Sequence, residues 1–288
     1  PAYPALAAVW PALARDWRRK QLEYTWLRAI ADRHCDFWQV TQDGLDWALE
    51  RAGQEDADLR EALLGLYWQL AAYPEVPGML AKLKAAGLST AILSNGSPDM
   101  LQGAVESAGI GAMLDDVLSV EAVGIFKPAC VVYDLVGKRF SCEAGEVLFV
   151  SSNGWDVAAA ASYGFRTLWV NRAGEPVDRL PGRDVVLLGA DGEDRHLDVG
   201  QRHRPVADVV LAARQAVFVE QLLQILGMHA VGHAGGVVVP RHQVVLVLAH
   251  AEEILVQQAR VDQVVGPQQL EGAGHLLGVE VALVPHHV

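Results

Sequence analysis

Cysteine is scarce: Cys35, Cys130 and Cys142 are the only three, and no two form a C-x-x-C pair. A disulfide scaffold and a cysteine zinc site are both disfavoured, and a reducing compartment fits. Positive charge is also short, with Lys+Arg 23 against Asp+Glu 35 and a net charge of −12. A general nucleic-acid binder normally carries a basic face, so that class is set aside. No stretch reaches about 18 uninterrupted apolar residues, so no membrane span is indicated. The most apolar stretch, Gly235 to Ala249, is broken by Pro240, Arg241 and His242. What is present is 288 residues, 51% of them apolar, enough for one large domain or two modest ones. The chain opens on Pro1 rather than Met, a first hint that its true beginning lies elsewhere.

A second set of absences is local. Residues 189–288 contain no Trp, Tyr, Cys, Lys, Ser, Thr or Asn, yet hold nine of the ten His. Ser and Lys are among the commonest residues of ordinary proteins, so their joint loss over this length marks a boundary near Leu188. Residues 189–288 are either a biased natural domain or translation in a non-native frame of GC-rich DNA, and the skew fits the second better. His229 and His233 stand four apart but lack a partner set for a metal. The valine-rich run Val237 to Val247 reads as a strand if folded.

The first part divides again. From Ala5 to about Ala72 the pattern is helical: Trp17, Leu22, Trp26 and Ile30 recur every four or five residues. Further amphipathic runs cover Gln42 to Ala52 and Asp58 to Leu70, and Tyr73-Pro74 and Pro77-Gly78 end the series. After that, short apolar runs alternate with helices. The predicted strands are Ser89–Leu93, Val117–Val120, Val147–Val150, Thr167–Val170 and Val185–Leu188. The predicted helices are Met79–Ala86, Asp99–Ala108, Ala129–Arg139 and Trp155–Tyr163. This alternation predicts an α/β fold, a Rossmann-like doubly wound parallel sheet covered on both faces, with a helical module before or inserted in it. The expected organisation is 1–75 helical, 76–188 α/β core and 189–288 tail. In such folds chemistry gathers beyond the carboxyl ends of the strands.

Three strand ends carry polar clusters. Ser94-Asn95-Gly96-Ser97 offers hydroxyls, an amide and backbone N–H groups, an anion site or else a turn with Ser97 as helix cap. Phe126-Lys127-Pro128 holds a lysine extended before proline, either to neutralise a carboxylate or as a solvated surface residue. Ser151-Ser152-Asn153-Gly154-Trp155-Asp156 brings a carboxylate that could pair with Lys127 or orient a water; Asn153 as a plain helix cap is the other reading.

In order and spacing these clusters resemble the haloacid dehalogenase superfamily. The run Trp17-Arg18-Arg19-Lys20-Gln21-Leu22-Glu23-Tyr24-Thr25-Trp26-Leu27-Arg28 resembles the cap-domain signature of its L-2-haloacid dehalogenases. The stretches 92–98, 148–156 and 169–176 are similar to the same subfamily, so the likeness covers about Val9 to Leu188. It implies hydrolysis of short (S)-2-haloacids to (R)-2-hydroxyacids, with inversion and without metal or other cofactor. An aspartate attacks the halogen-bearing carbon, and water then hydrolyses the ester. By position the resemblance gives Arg18 to the departing halide, and Ser94 and Asn95 to the substrate carboxylate. It sets Lys127 and Tyr133 beside the nucleophile. Ser151, Asn153 and Asp156 become the loop that positions nucleophile and water. Leu22, Phe37 and Trp155 form an apolar wall, which suits displacement at carbon by stripping water from the attacking carboxylate. Phosphatases of the superfamily place an acidic metal ligand where Ser152 and Asn153 stand, so no metal is expected.

Two departures qualify this. No Asp-x-Tyr-Gly-Thr-like segment occurs among the 288 residues. The family's spacing places that aspartate before Pro1, so the first core strand is expected to be missing and the chain inactive or nearly so. The tail from Gly189 onward matches no pattern of the family. The alternatives are a metal-dependent phosphatase of the same superfamily and a noncatalytic binding protein. The partners implied are a haloalkanoic acid and water, with neither nucleic acid nor membrane. Aromatic-rich first helices allow a homodimer, and the expected localisation is cytoplasmic.

Overall fold

A computed structural model describes residues 6–68, 70–172, 174–182, 185–189, 194–197, 245–249 and 255–256. The His229/His233 pair lies outside these residues.

The chain opens with three helices, α1 (Leu6–Ala31), α2 (Phe37–Ala52) and α3 (Ala57–Gly65), followed by a short 3-10 turn at Leu66–Trp68. Asp36 caps α2 by accepting from the Gln39 N–H at 2.8 Å, and Gly53 ends it in the left-handed region at φ 64°. Asp56 caps α3 through the Leu59 N–H. The helices are bound by more than apolar contact. The Trp17 indole donates to the Thr41 carbonyl, and the buried Gln21 amide donates to both Thr41 Oγ1 and Tyr67 Oη. A buried amide needs such partners, so these bonds fix how α1, α2 and the turn after α3 pack.

The core follows as β1 (Ala71–Ala72), α4 (Val76–Ala85), β2 (Ser89–Ser94), α5 (Pro98–Ala108), β3 (Asp116–Ser119) and α6 (Cys130–Phe140). It continues with β4 (Val147–Ser151), α7 (Gly154–Tyr163), β5 (Arg166–Asn171), β6 (Val185–Gly189) and β7 (Asp194–Leu197). Two strands, β8 (Val245–Ala249) and β9 (Leu255–Val256), come from far along the chain. One sheet runs β3-β2-β8-β4-β5-β6-β7, parallel except for the antiparallel β6–β7 edge; β1 and β9 form a separate antiparallel pair.

The five predicted core strands are all present, each within a residue or so of its expected bounds. Alternate residues face opposite ways. Ala91, Leu93, Val147 and Phe149 join the apolar cluster that continues into α1–α3, while Ile92, Leu148 and Val150 join a second cluster with α4 and α5. The sheet is thus buried on both faces.

The centre of the sheet differs from expectation. The sequence reading leaves the first core strand missing and ends the core at 188; in the structure β8 stands between β2 and β4, parallel to both. Leu93 pairs with Ala249, and Val150 with Leu248. The physical reason is plain. A β-branched, apolar run satisfies two strand edges that would otherwise leave buried N–H and C=O groups unpaired. The expected strand Val237 to Val247 is seen from Val245 onward; its earlier part lies outside the described residues. Val247 has a partner on each side, Ala91 and Phe149. Val247→Pro removes a donor from this central ladder and is expected to cost about 1–3 kcal/mol, the penalty of a buried unpaired group. Urea unfolding of the full chain checks it.

Candidate active site

β2 and β4 are the two neighbours of β8, and their carboxyl ends carry the polar loops. At the end of β2, Ser94 is buried and its Oγ accepts from the Gly96 N–H at 3.0 Å. The turn needs glycine: a Cβ at Gly96 would lie 2.8 Å from the Leu101 side chain. Ser119, at the end of β3, donates to the Gly96 carbonyl and holds the turn from the far side. Asn95 is fully buried. Its Oδ1 accepts from the Lys127 backbone N–H at 3.0 Å, while its Nδ2 meets no acceptor among the described residues.

Lys127 is 0% exposed, so the solvated-surface reading fails. Its Nζ donates to the Leu93 carbonyl at 2.8 Å and to Asp156 Oδ2 at 2.9 Å, and it lies 4.9 Å from the centre of the Phe149 ring. Asp156 is 0% exposed too, and its other oxygen accepts from Tyr133 Oη at 2.8 Å. Burial, and then the adjacent Asp156 carboxylate, push the Tyr133 phenol far above its ordinary pKa. It therefore stays protonated and donating. The pairing of Lys127 with Asp156, one of the two options read from the sequence, is formed.

At the end of β4, Ser151 Oγ accepts from the Asn153 N–H at 3.0 Å. Asn153 sits at the N-cap of α7, yet its side chain makes no capping bond, and Nδ2 is buried without an acceptor among the described residues. Ser97 likewise caps α5 by position only. Neither loop is explained by helix capping. Trp169 Nε1 donates to the Ser152 carbonyl and fixes the loop from β5.

The helical cap closes over these loops at two aromatic contacts. Phe37, at the start of α2, packs on Phe126 with ring centres 6.3 Å apart, directly before Lys127. Trp26, on α1, meets Trp155 edge to face at 5.5 Å. A groove of about 690 Å³ runs along that face of α1, lined by Arg15, Arg18, Leu22 and Trp26 among others. Arg18 and Leu22 thus border the groove, Trp155 meets its wall at Trp26, and Phe37 is buried behind the Lys127 loop. The sequence reading places Trp26 in the helical period and in the cap-signature run, and gives it no role at the site. Nothing in a four-residue period separates a wall residue from a core residue.

The arrangement is that of a capped, Rossmann-like α/β enzyme: a parallel sheet, polar loops on strands flanking one central strand, a buried Lys–Asp pair and a helical lid. Residues 3–164 match the haloacid dehalogenase-like hydrolase family, and the chain belongs to it. (S)-2-haloacid dehalogenase 1 of Pseudomonas sp. (strain CBS-3) is 46% identical over 161 residues, 56% of this chain and 71% of that protein. The (S)-2-haloacid dehalogenase of Pseudomonas sp. (strain YL) is 42% identical over 178 residues, 60% and 77% of the two chains. A solved L-2-haloacid dehalogenase superposes with a TM-score of 0.61 at 39% identity, over 63% of this chain and 82% of that one. Another, from Xanthobacter autotrophicus with chloropropionic acid covalently bound, gives 0.53 at 44% identity over 56% and 65%.

The buried pair sets a stability prediction. Lys127→Met leaves the Asp156 charge buried without its Lys127 counter-charge, which costs about 3–5 kcal/mol. Chemical denaturation of the variant against the parent protein measures it.

Proposed function

We propose that this site binds a short (S)-2-haloacid and that its residues serve hydrolytic dehalogenation to the (R)-2-hydroxyacid through an aspartyl ester. The observation that carries the reading is the pair of buried amide N–H₂ groups, Asn95 Nδ2 and Asn153 Nδ2, that meet no acceptor among the described residues. They stand on the loops after β2 and β4, beside buried Lys127. Buried donors of that kind call for oxygen acceptors on a ligand. Ser94 and Asn95 receive the carboxylate. Asn153 and Ser151 position the ester and the water that attacks it. Lys127 holds positive charge beside the reacting carboxyl, fixed by Asp156 and Tyr133. Arg18 faces the leaving halide, and Leu22, Trp155 and, from behind, Phe37 keep the surroundings apolar.

The nucleophile is the part these residues do not supply. Asp156 cannot serve, because Lys127 and Tyr133 occupy its two oxygens. No Asp-x-Tyr-Gly-Thr-like segment occurs among these 288 residues, so these residues by themselves bind the acid without turning it over. The dehalogenase reading describes the site, and the noncatalytic reading describes these residues when no nucleophile stands beside them. The phosphatase alternative is weaker. Ser151, Ser152 and Asn153 offer no carboxylate, and Asp156 is already engaged, so these residues do not fit Mg²⁺. The aromatic-rich cap helices support a homodimer. Three cysteines, all free of disulfides, support a reducing, cytoplasmic setting.

Isothermal titration of the full chain with L-2-chloropropionate is expected to show saturable binding that EDTA and Mg²⁺ leave unchanged. Asn95→Asp replaces a donor with a repelling carboxylate and is expected to weaken binding at least about tenfold. Absence of any saturable binding overturns the reading. Chloride release by this chain is expected to stay at the uncatalysed rate, and steady turnover would disprove the assigned inactivity.

A further inference from the structure

Trp26 has a feature its helical period does not explain. Its indole Nε1 is buried and meets no acceptor among the described residues. An indole N–H is donor-only, and a buried one usually finds a partner. The ring packs edge to face on Trp155, 5.5 Å between centres at 84°, so its orientation is set by the core and not by α1 alone. The same ring lines the groove with Arg18 and Leu22, two and one helical turns earlier on the same face of α1. The groove is lined by the Arg15, Arg18 and Arg19 guanidiniums and by apolar side chains, and its one carboxylate, Glu23, is paired with Arg19 and Lys20. A buried donor in such net positive, apolar surroundings suits a large, weakly hydrated anion better than a carboxylate. A carboxylate wants several strong donors in one plane, whereas a halide accepts from any direction and tolerates apolar neighbours.

We propose that Trp26 is a leaving-group-binding residue: its indole N–H donates to the halide that departs toward Arg18. This rests on the dehalogenase reading of the site. The carbon–halogen bond breaks with its electron pair going to the halogen. Trp26 and Arg18 then share the resulting anion, and Trp26 undergoes no chemistry. A donor that meets the halogen fully only as its charge develops favours the displacement over the ground state.

The test needs no turnover. The full chain is labelled with [15N]-tryptophan, the Trp26 indole N–H signal is assigned from Trp26→Phe, and sodium bromide is titrated at constant ionic strength with sulfate as control. The expected result is a saturable shift of the Trp26 signal with bromide and not with sulfate. Half-saturation should rise about tenfold in Arg18→Ala, the loss of one charge-assisted partner. Trp26→Tyr, which keeps a ring and moves the donor, should weaken bromide binding about fivefold, the loss of one neutral hydrogen bond. The parent protein's own signal is read directly, so poor folding of either variant does not spoil the test. L-2-chloropropionate is titrated in parallel. If the acid binds and the Trp26 signal ignores bromide, or moves identically with sulfate, the proposal for Trp26 is overturned and the dehalogenase reading stands. If neither acid nor bromide binds saturably, both are overturned.

Discussion

The structure turns on one buried ion pair. Lys127 and Asp156 are both closed to solvent, and a charge in that position is tolerable only if fully partnered. The partners come from different elements. Leu93 belongs to β2, Asp156 to the first turn of α7, Tyr133 to α6, and Lys127 to the loop between β3 and α6. Satisfying these two charges therefore fixes the relative placement of four segments at the carboxyl edge of the sheet. The backbone N–H of the same lysine then holds the Asn95 amide, which leaves the Asn95 N–H₂ facing outward from the network. Positive charge and amide donors at the site follow from one electrostatic requirement.

The pair also limits what each group can do. A lysine ammonium has three donors, and two are spent on Leu93 O and Asp156. Asp156 has both oxygens engaged, so it acts as a fixed counter-charge. Tyr133, held protonated by burial and by that carboxylate, can only donate. The network is a rigid electrostatic background, and such preorganisation stabilises charge that develops elsewhere. That background serves chemistry only when a nucleophile stands beside it, since a fixed counter-charge does not itself attack carbon.

Much of this was legible in the sequence because chemistry in a doubly wound sheet sits where short apolar runs end. Ser94, Asn95, Ser151, Asn153 and Asp156 each lie within a few residues of such an ending, and Lys127 is marked by its proline and by the rarity of lysine. Other features were not legible, for separate reasons. Trp26 obeys the helical period whether it faces core or groove. The start of α2 at Phe37 was missed although Asp36 is a normal cap, because Phe37 and Trp38 side by side blur the amphipathic stripe. The contact between His34 and Glu121, which joins the cap to the turn after β3 at 3.0 Å, spans 87 positions and leaves no local mark. The antiparallel β6–β7 edge follows from chain direction alone, which apolar runs do not encode.

The central strand separates architecture from catalysis most clearly. A slot between two parallel strands asks for little: an extended run of about five residues, its N–H and C=O groups free, and no proline. Val245–Ala249 meets those terms, and many apolar sequences would. A nucleophile asks for much more, since a carboxylate must stand at the strand's end, aimed between the loops of β2 and β4. β8 ends in Ala249, level with Leu93. Backbone complementarity is generic and catalytic complementarity is specific, so a strand that fills the sheet secures the frame around the site without thereby defining its chemistry. The same asymmetry explains how Val245–Ala249, in a region so unlike the rest in composition, can enter the sheet although it lies outside the family match at residues 3–164.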